Sequence, residues 1–266
     1  MKTPRPQSRT PSRTPSRASK APARPVPGLA ARSLAVEGLQ RALRQSVPLE
    51  EALEGGDPSL EPRDRALAFR IVATALRRHG TLMAILGRLM ERGLPKSAPR
   101  LEPVLLVGAT QLLFMDVADH AAVGLSVDLA RLDRSTVPFA GLVNAVLRRL
   151  AREKEALLAG IDPFVADTPQ WLRSRWIAAY GEATARAICA MHAVEPPLDI
   201  TVKSDPAGWA ERLSGEVLPT GTVRILQAGP VRALPGYEDG EWWVQDAAAA
   251  LPARLLGAVA GKRVVD

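Results

Sequence analysis

Residues 101–114 read Leu-Glu-Pro-Val-Leu-Leu-Val-Gly-Ala-Thr-Gln-Leu-Leu-Phe, a segment apolar on nearly every side of a helix. Such a helix has no face to show to water, so other helices must surround it. The flanking sequence supplies them. Residues 29–44 place apolar side chains near positions 34, 36, 39 and 43, a helical spacing. A second helix begins at Asp64, Thr81 is expected to cap a third over 82–90, and two more are expected over 121–132 and 139–150. Short helices joined by brief turns across 29–155 make an all-α bundle. Hydrophobic residues are 47% of the 266 residues and aromatic ones only 4%, so the cores are built from Leu, Ala and Val.

The apolar run 104–115 is about half of the ~20 residues a membrane span needs, and no signal peptide precedes it. Cys189 is the one cysteine, which rules out an internal disulfide and suits a reducing compartment. The expectation is therefore a cytoplasmic protein without a membrane partner.

The net charge of +7 equals the positive charge of residues 1–28, which hold seven basic residues and no acid. Ser8-Arg-Thr-Pro-Ser-Arg-Thr-Pro-Ser-Arg repeats every four residues. Proline at that density blocks helix and sheet, and too few apolar groups are present to offset the entropy of ordering. Residues 1–28 read as a disordered basic tail, either merely solvated or an arm for RNA phosphates. Further on, Arg63, Arg65, Arg70, Arg77 and Arg78 crowd one helix, with 63, 70 and 77 recurring every seven residues on one face. Arg148 and Arg149, followed by Arg152 and Lys154, form a second cluster. Each is a solvated polar face or a phosphate contact.

After a connector the period changes. A helical pair opens at Pro169 and ends near His192. Residues 198–203 then alternate as a strand, 206–213 read as a helix, and 223–226 as a second strand. Asp246 is placed to cap a helix over 247–255. The closing Gly261-Lys-Arg-Val-Val-Asp has the form of a first strand of a nucleotide-type domain.

Several segments resemble the RsmB/Fmu/Sun (NOL1/NOP2/sun) family of 16S rRNA (cytosine-5) methyltransferases. Gly236-Tyr-Glu-Asp-Gly-Glu-Trp-Trp-Val-Gln-Asp is similar to the family's approach to its S-adenosylmethionine loop. Four earlier stretches resemble its NusB-like N-terminal domain. They are Asp64-Arg-Ala-Leu-Ala-Phe-Arg-Ile-Val, Val107-Gly-Ala-Thr-Gln-Leu-Leu-Phe-Met, Asp119-His-Ala-Ala-Val and Gly141-Leu-Val-Asn-Ala-Val-Leu-Arg-Arg. The resemblance implies a mainly α chain. A NusB-like RNA-binding bundle over 29–155 is followed by a small α+β, RRM-like pre-catalytic module over 165–235. Residues 236–266 would be the truncated start of a Rossmann-like methyltransferase domain. The family often writes an Arg and an Asn into the first strand of the small module, where this chain has Ile200-Thr-Val-Lys-Ser.

Cytosine C5 takes a methyl group only after a thiolate adds at C6. Cys189, among apolar helical neighbours, matches neither cysteine motif of the family and reads as a small core hydrophobe. His79, His120 and His192 lack metal-ligand spacing, and His120 is expected to cap the helix that follows it. The expectation is a chain with no catalytic, metal or cofactor residues of its own. It would serve as the RNA-recognising part of a 16S rRNA methyltransferase, whose S-adenosylmethionine binds elsewhere in the full-length family. The rival is a NusB-like transcription antitermination factor. Residues 165–266 argue against it, because such a factor has no use for a strand-bearing module.

Overall fold

The computed structural model describes residues 26–54 and 59–265. The expected tail through residue 25, and Asp266, lie outside them. The chain divides into two units. One takes the residues through Ala75 together with Leu86–Glu155; the other takes Leu76–Ile85 and everything from Ala156 onward.

The helices are α1 (Leu29–Gln45), α2 (Leu49–Ala52), α3 (Pro62–Arg77), α4 (His79–Leu89), α5 (Leu101–Phe114), α6 (Asp119–Leu132) and α7 (Ala140–Ala159). As its composition requires, α5 is the centre of the first unit: α1 and α6 pack against it, and Leu101 and every residue from Pro103 to Leu112 are buried. Each large aliphatic side chain removed from water there contributes about 1.5–3 kcal/mol. One polar tie crosses this core. Arg32 on α1 is 6% exposed and donates from Nε to Gln111 Oε1 on α5 at 2.7 Å. Burial lowers the Arg32 guanidinium below its ordinary pKa, and Asp64 opposes that shift. Gln111 in turn donates to the Val107 carbonyl at 2.9 Å, so no amide group is stranded.

The second unit continues through α8 (Pro163–Ala166), α9 (Gln170–Tyr180) and α10 (Glu182–His192), then turns to sheet. Strand β1 (Leu198–Val202) is followed by α11 (Pro206–Arg212), β2 (Glu216–Val217), β3 (Val223–Ile225), a 3₁₀ turn at Val231–Ala233, β4 (Trp242–Val244) and α12 (Leu251–Leu255). The four strands run antiparallel in the order β2-β3-β1-β4, with Ile200 opposite Val223 on one side and Val244 on the other. Connectivity and order are those of a split βαβ sheet whose second helix has shrunk to one turn. Ile200, Trp209, Leu213, Val223, Ile225 and Trp242 form its core.

Trp242 belongs to the stretch that resembles the approach to the S-adenosylmethionine loop, yet it is 2% exposed and completes the small sheet through its strand's pairing with β1. Its indole donates to the Pro235 carbonyl at 2.9 Å, which removes the cost of burying the N–H. Gly236 makes room for it. Its φ is 83°, and a Cβ there would lie 2.3 Å from Trp209 Cη2, so no larger residue fits. Of the strand expected over 261–266, none forms among the described residues 261–265. Val264 and Val265 are exposed and pair with no strand among the described residues, and a strand without a neighbour has no ladder to hold it. The helix expected over 247–255 is shorter, covering Leu251–Leu255. Asp246 still caps: its Oδ1 accepts from the Ala248 and Ala249 amides at 2.8 and 3.1 Å, over a turn that leads into the helix.

Candidate nucleic-acid interface

The first unit carries a basic groove of about 390 Å³ between α6 and α7, lined among others by Asp119, His120, Asn144, Arg148 and Arg152. Arg148 and Arg152 lie one turn apart on α7 and therefore share a face. Arg148 donates to Asn144 Oδ1 at 3.1 Å, a neutral partner that leaves its charge uncompensated. Arg152 is exposed and has no hydrogen-bond or ion-pair partner among the described residues. The groove's one carboxylate, Asp119, faces Lys154 Nζ at 3.8 Å. His120 does not cap α6. The N-cap is Ala118, with no side-chain bond, and His120 stands exposed at the groove wall. Arg149 is only one position from Arg148, but about 100° round the helix. It pairs instead with Glu153, at 3.1 Å.

Along α3 the arginines separate. Arg63 and Arg70 are exposed and without partners among the described residues; Arg65 is half-buried and bonded. Arg77 and Arg78, half-buried, line a cleft of about 590 Å³ that belongs wholly to the second unit. Phe164, Trp176, Arg186 and His192 also line it. Asp162 caps α8 by accepting from the Phe164 amide at 3.0 Å and takes Arg186 Nη1 at 2.9 Å. The Arg186 hydrogen bond holds the Asp162 carboxyl below its usual range, and Asp162 raises Arg186 in return.

Thr81 is not the cap of α4, which starts two residues earlier, at His79. Asp167, 86 residues on, does the capping: its carboxylate accepts from the Thr81 amide at 2.6 Å and the Thr81 hydroxyl at 2.7 Å. The two segments meet at Gly80, where a Cβ would fall 1.8 Å from the Ala166 carbonyl oxygen. Cys189 is half-buried, and its Sγ accepts from the Thr168 hydroxyl at 3.1 Å.

On the side of the sheet away from its core, Arg224 grips Asp199 through two bonds of 2.8 Å, and the Ala247 amide donates to the same carboxylate at 3.1 Å. Arg224 first, then Ala247, holds Asp199 below the usual carboxylate range against the opposing effect of burial. This β3 arginine sits beside the strand in which the family writes its own, and its charge is already answered.

Residues 29–152 match the NusB family. Over 251 residues the chain is 34% identical to ribosomal RNA small subunit methyltransferase B of Pseudomonas syringae pv. tomato, covering 88% of this chain and 55% of that protein. The namesake from Xanthomonas campestris pv. campestris is 34% identical over 254 residues, covering 90% of this chain and 56% of its own length. That of Pseudomonas putida is 32% identical over 249 residues, covering 88% and 56%. By sequence the chain belongs to the RsmB/Sun family. It spans about half the length of these relatives. The crystal structure of PH0851 shares the fold, with a TM-score of 0.55 at 16% identity over 87% of this chain and 56% of that one.

The residues that resemble the family's approach to its S-adenosylmethionine loop are already engaged with one another or exposed. Gln245 Oε1 accepts from the Thr201 hydroxyl and the Trp243 indole, Asp246 caps its own turn, and residues 251–265 are exposed. No group of three or more His, Cys, Asp or Glu among the described residues comes together as metal ligands would. No described helix is long and apolar enough to cross a membrane.

Proposed function

We propose that this chain is the RNA-recognising part of an S-adenosylmethionine-dependent 16S rRNA (cytosine-5) methyltransferase, and that its residues place RNA rather than transfer the methyl group. The observation that carries the reading is the α6–α7 groove, inside the residues that match the NusB family. Two guanidiniums and an imidazole share it, and its carboxylate is answered by Lys154. A phosphodiester entering there meets positive charge without displacing an existing ion pair, which is the condition for counterion release to favour binding. Arg63 and Arg70 offer further phosphate contacts. Methyl transfer to cytosine C5 needs an accessible thiolate, and Cys189 is half-buried against Thr168.

Filter binding of a 16S rRNA fragment across a salt series tests this. Replacing Arg148 and Arg152 by Gln removes two phosphate contacts and flattens the log–log salt slope by about 1.4. Arg149→Gln leaves it unchanged. A double variant that binds as wild type does would overturn the groove as the interface. A labelled-methyl assay in which this chain turns over, and loses that turnover in Cys189→Ala, would overturn the division of labour.

A further inference from the structure

We infer that the cleft at the start of α4 binds one unstacked RNA nucleotide, its phosphate on Arg77 and its base against Trp176. The inference rests on the RNA-binding reading above and adds a site that reads bases where the α6–α7 groove reads charge.

Three features of the cleft lead to this ligand. The first is its charge. Arg77, Arg78 and Arg186 line the cleft together with Asp162 and Asp167. The free cation among these described residues is identifiable. Asp162 is taken by Arg186, which Glu182 also holds at 2.9 Å, and Asp167 is committed to the Thr81 amide and hydroxyl. Arg78 is already bonded, while Arg77 has no hydrogen-bond or ion-pair partner among the described residues. One uncompensated guanidinium matches one phosphodiester. It would leave a triphosphate largely unanswered, which argues against a free nucleotide cofactor.

The second feature is the wall. Trp176 stands half-exposed and lines the cleft with Leu76 and Leu172, in a T-shaped contact with His192 whose ring centroids are 5.4 Å apart at 74°. Such a contact occupies at most one face of the indole, so the half-exposed ring still offers flat surface to a base, whose π-face stacks on an aromatic side chain whatever its identity. The volume, about 590 Å³, is in the range of small-ligand sites.

The third feature is rigidity. The Thr81–Asp167 bonds and the backbone contact at Gly80 tie the Arg77 wall to the segment leading into α9. The spacing between cation and ring is thus set before the ligand arrives.

The test uses the full chain and follows the Trp176 indole N–H resonance, assigned with Trp176→Phe. The probes are a mixed-sequence single-stranded RNA hexamer, the same hexamer with every base removed, and inorganic phosphate. The hexamer should shift the Trp176 resonance, and the abasic hexamer and phosphate should not. Trp176→Ala and Arg77→Gln should each weaken hexamer binding about tenfold, while Arg149→Gln leaves it unchanged. Arg77→Gln lies off the aromatic wall, so it keeps the test decisive should Trp176→Ala fold poorly. An equal shift from the abasic hexamer or phosphate would reduce the site to an anion site and overturn the inference. So would hexamer affinity unmoved by both substitutions. Should Arg148→Gln with Arg152→Gln weaken binding while the two cleft variants do not, the groove reading stands and this one falls. The reverse pattern would sink the groove and keep the cleft.

Discussion

Replacing Asp199 by Ala should strip the small sheet of its main polar clamp. The carboxylate is 5% exposed and accepts three hydrogen bonds, two from Arg224 at 2.8 Å and one from the Ala247 amide at 3.1 Å. Breaking a buried pair costs about 3–5 kcal/mol when the surviving charge is stranded. Here the survivor is Arg224, whose side chain is 32% exposed and can hydrate, so the loss should fall to about 2–3 kcal/mol. For a unit of this size that is about 10–20 °C in melting temperature. The chain has two units, so the assay must report on one of them. Hydrogen exchange in Leu198–Val202 and Val223–Ile225 does so, and both strands should exchange about 30-fold faster at 2 kcal/mol. The same clamp sets a pH dependence. Arg224 and the Ala247 amide depress the carboxyl in the fold, so their stabilisation is complete above the unfolded value of about 3.9 and fades as pH falls through the lower folded value. Wild type should lose strand protection in that acid window, and Asp199→Asn should lose less there. Strand exchange in Asp199→Ala within about 0.5 kcal/mol of wild type would refute the reasoning, since so small an effect is that of an ordinary surface change.

Leu105→Ala empties a fully buried site on α5 and should cost about 2–5 kcal/mol, read as a drop in the urea midpoint of helical circular dichroism without a change in slope. Asp167→Ala removes the acceptor of the Thr81 amide and hydroxyl and should cost about 1–2 kcal/mol. The effect should appear as faster exchange at the start of α4 while α5 is unchanged.

Hydrophobic period made much of this protein legible from its sequence. Residues 101–114 are apolar all round, and a helix of that kind has one place to go, the centre of a bundle. Leu198–Val202 and Val223–Ile225 announced themselves by alternation. The arginines of α3 and α7 were visible as clusters, but not what each would meet. Arg148 and Arg149 are adjacent in the chain, yet one lines a groove and the other pairs with Glu153. Trp242 and Trp243 look alike in sequence; one is core and the other surface, because neighbouring strand residues point to opposite faces and only the pairing of β4 with β1 says which face is inward. The polar ties were out of reach. Arg32 meets Gln111 across 79 residues, Thr81 meets Asp167 across 86, and Asp199 meets Arg224 across 25. Burial periodicity is a local property, written into each segment by the need to hide one face. Which charges meet is a property of distance in space, and tertiary packing alone decides it.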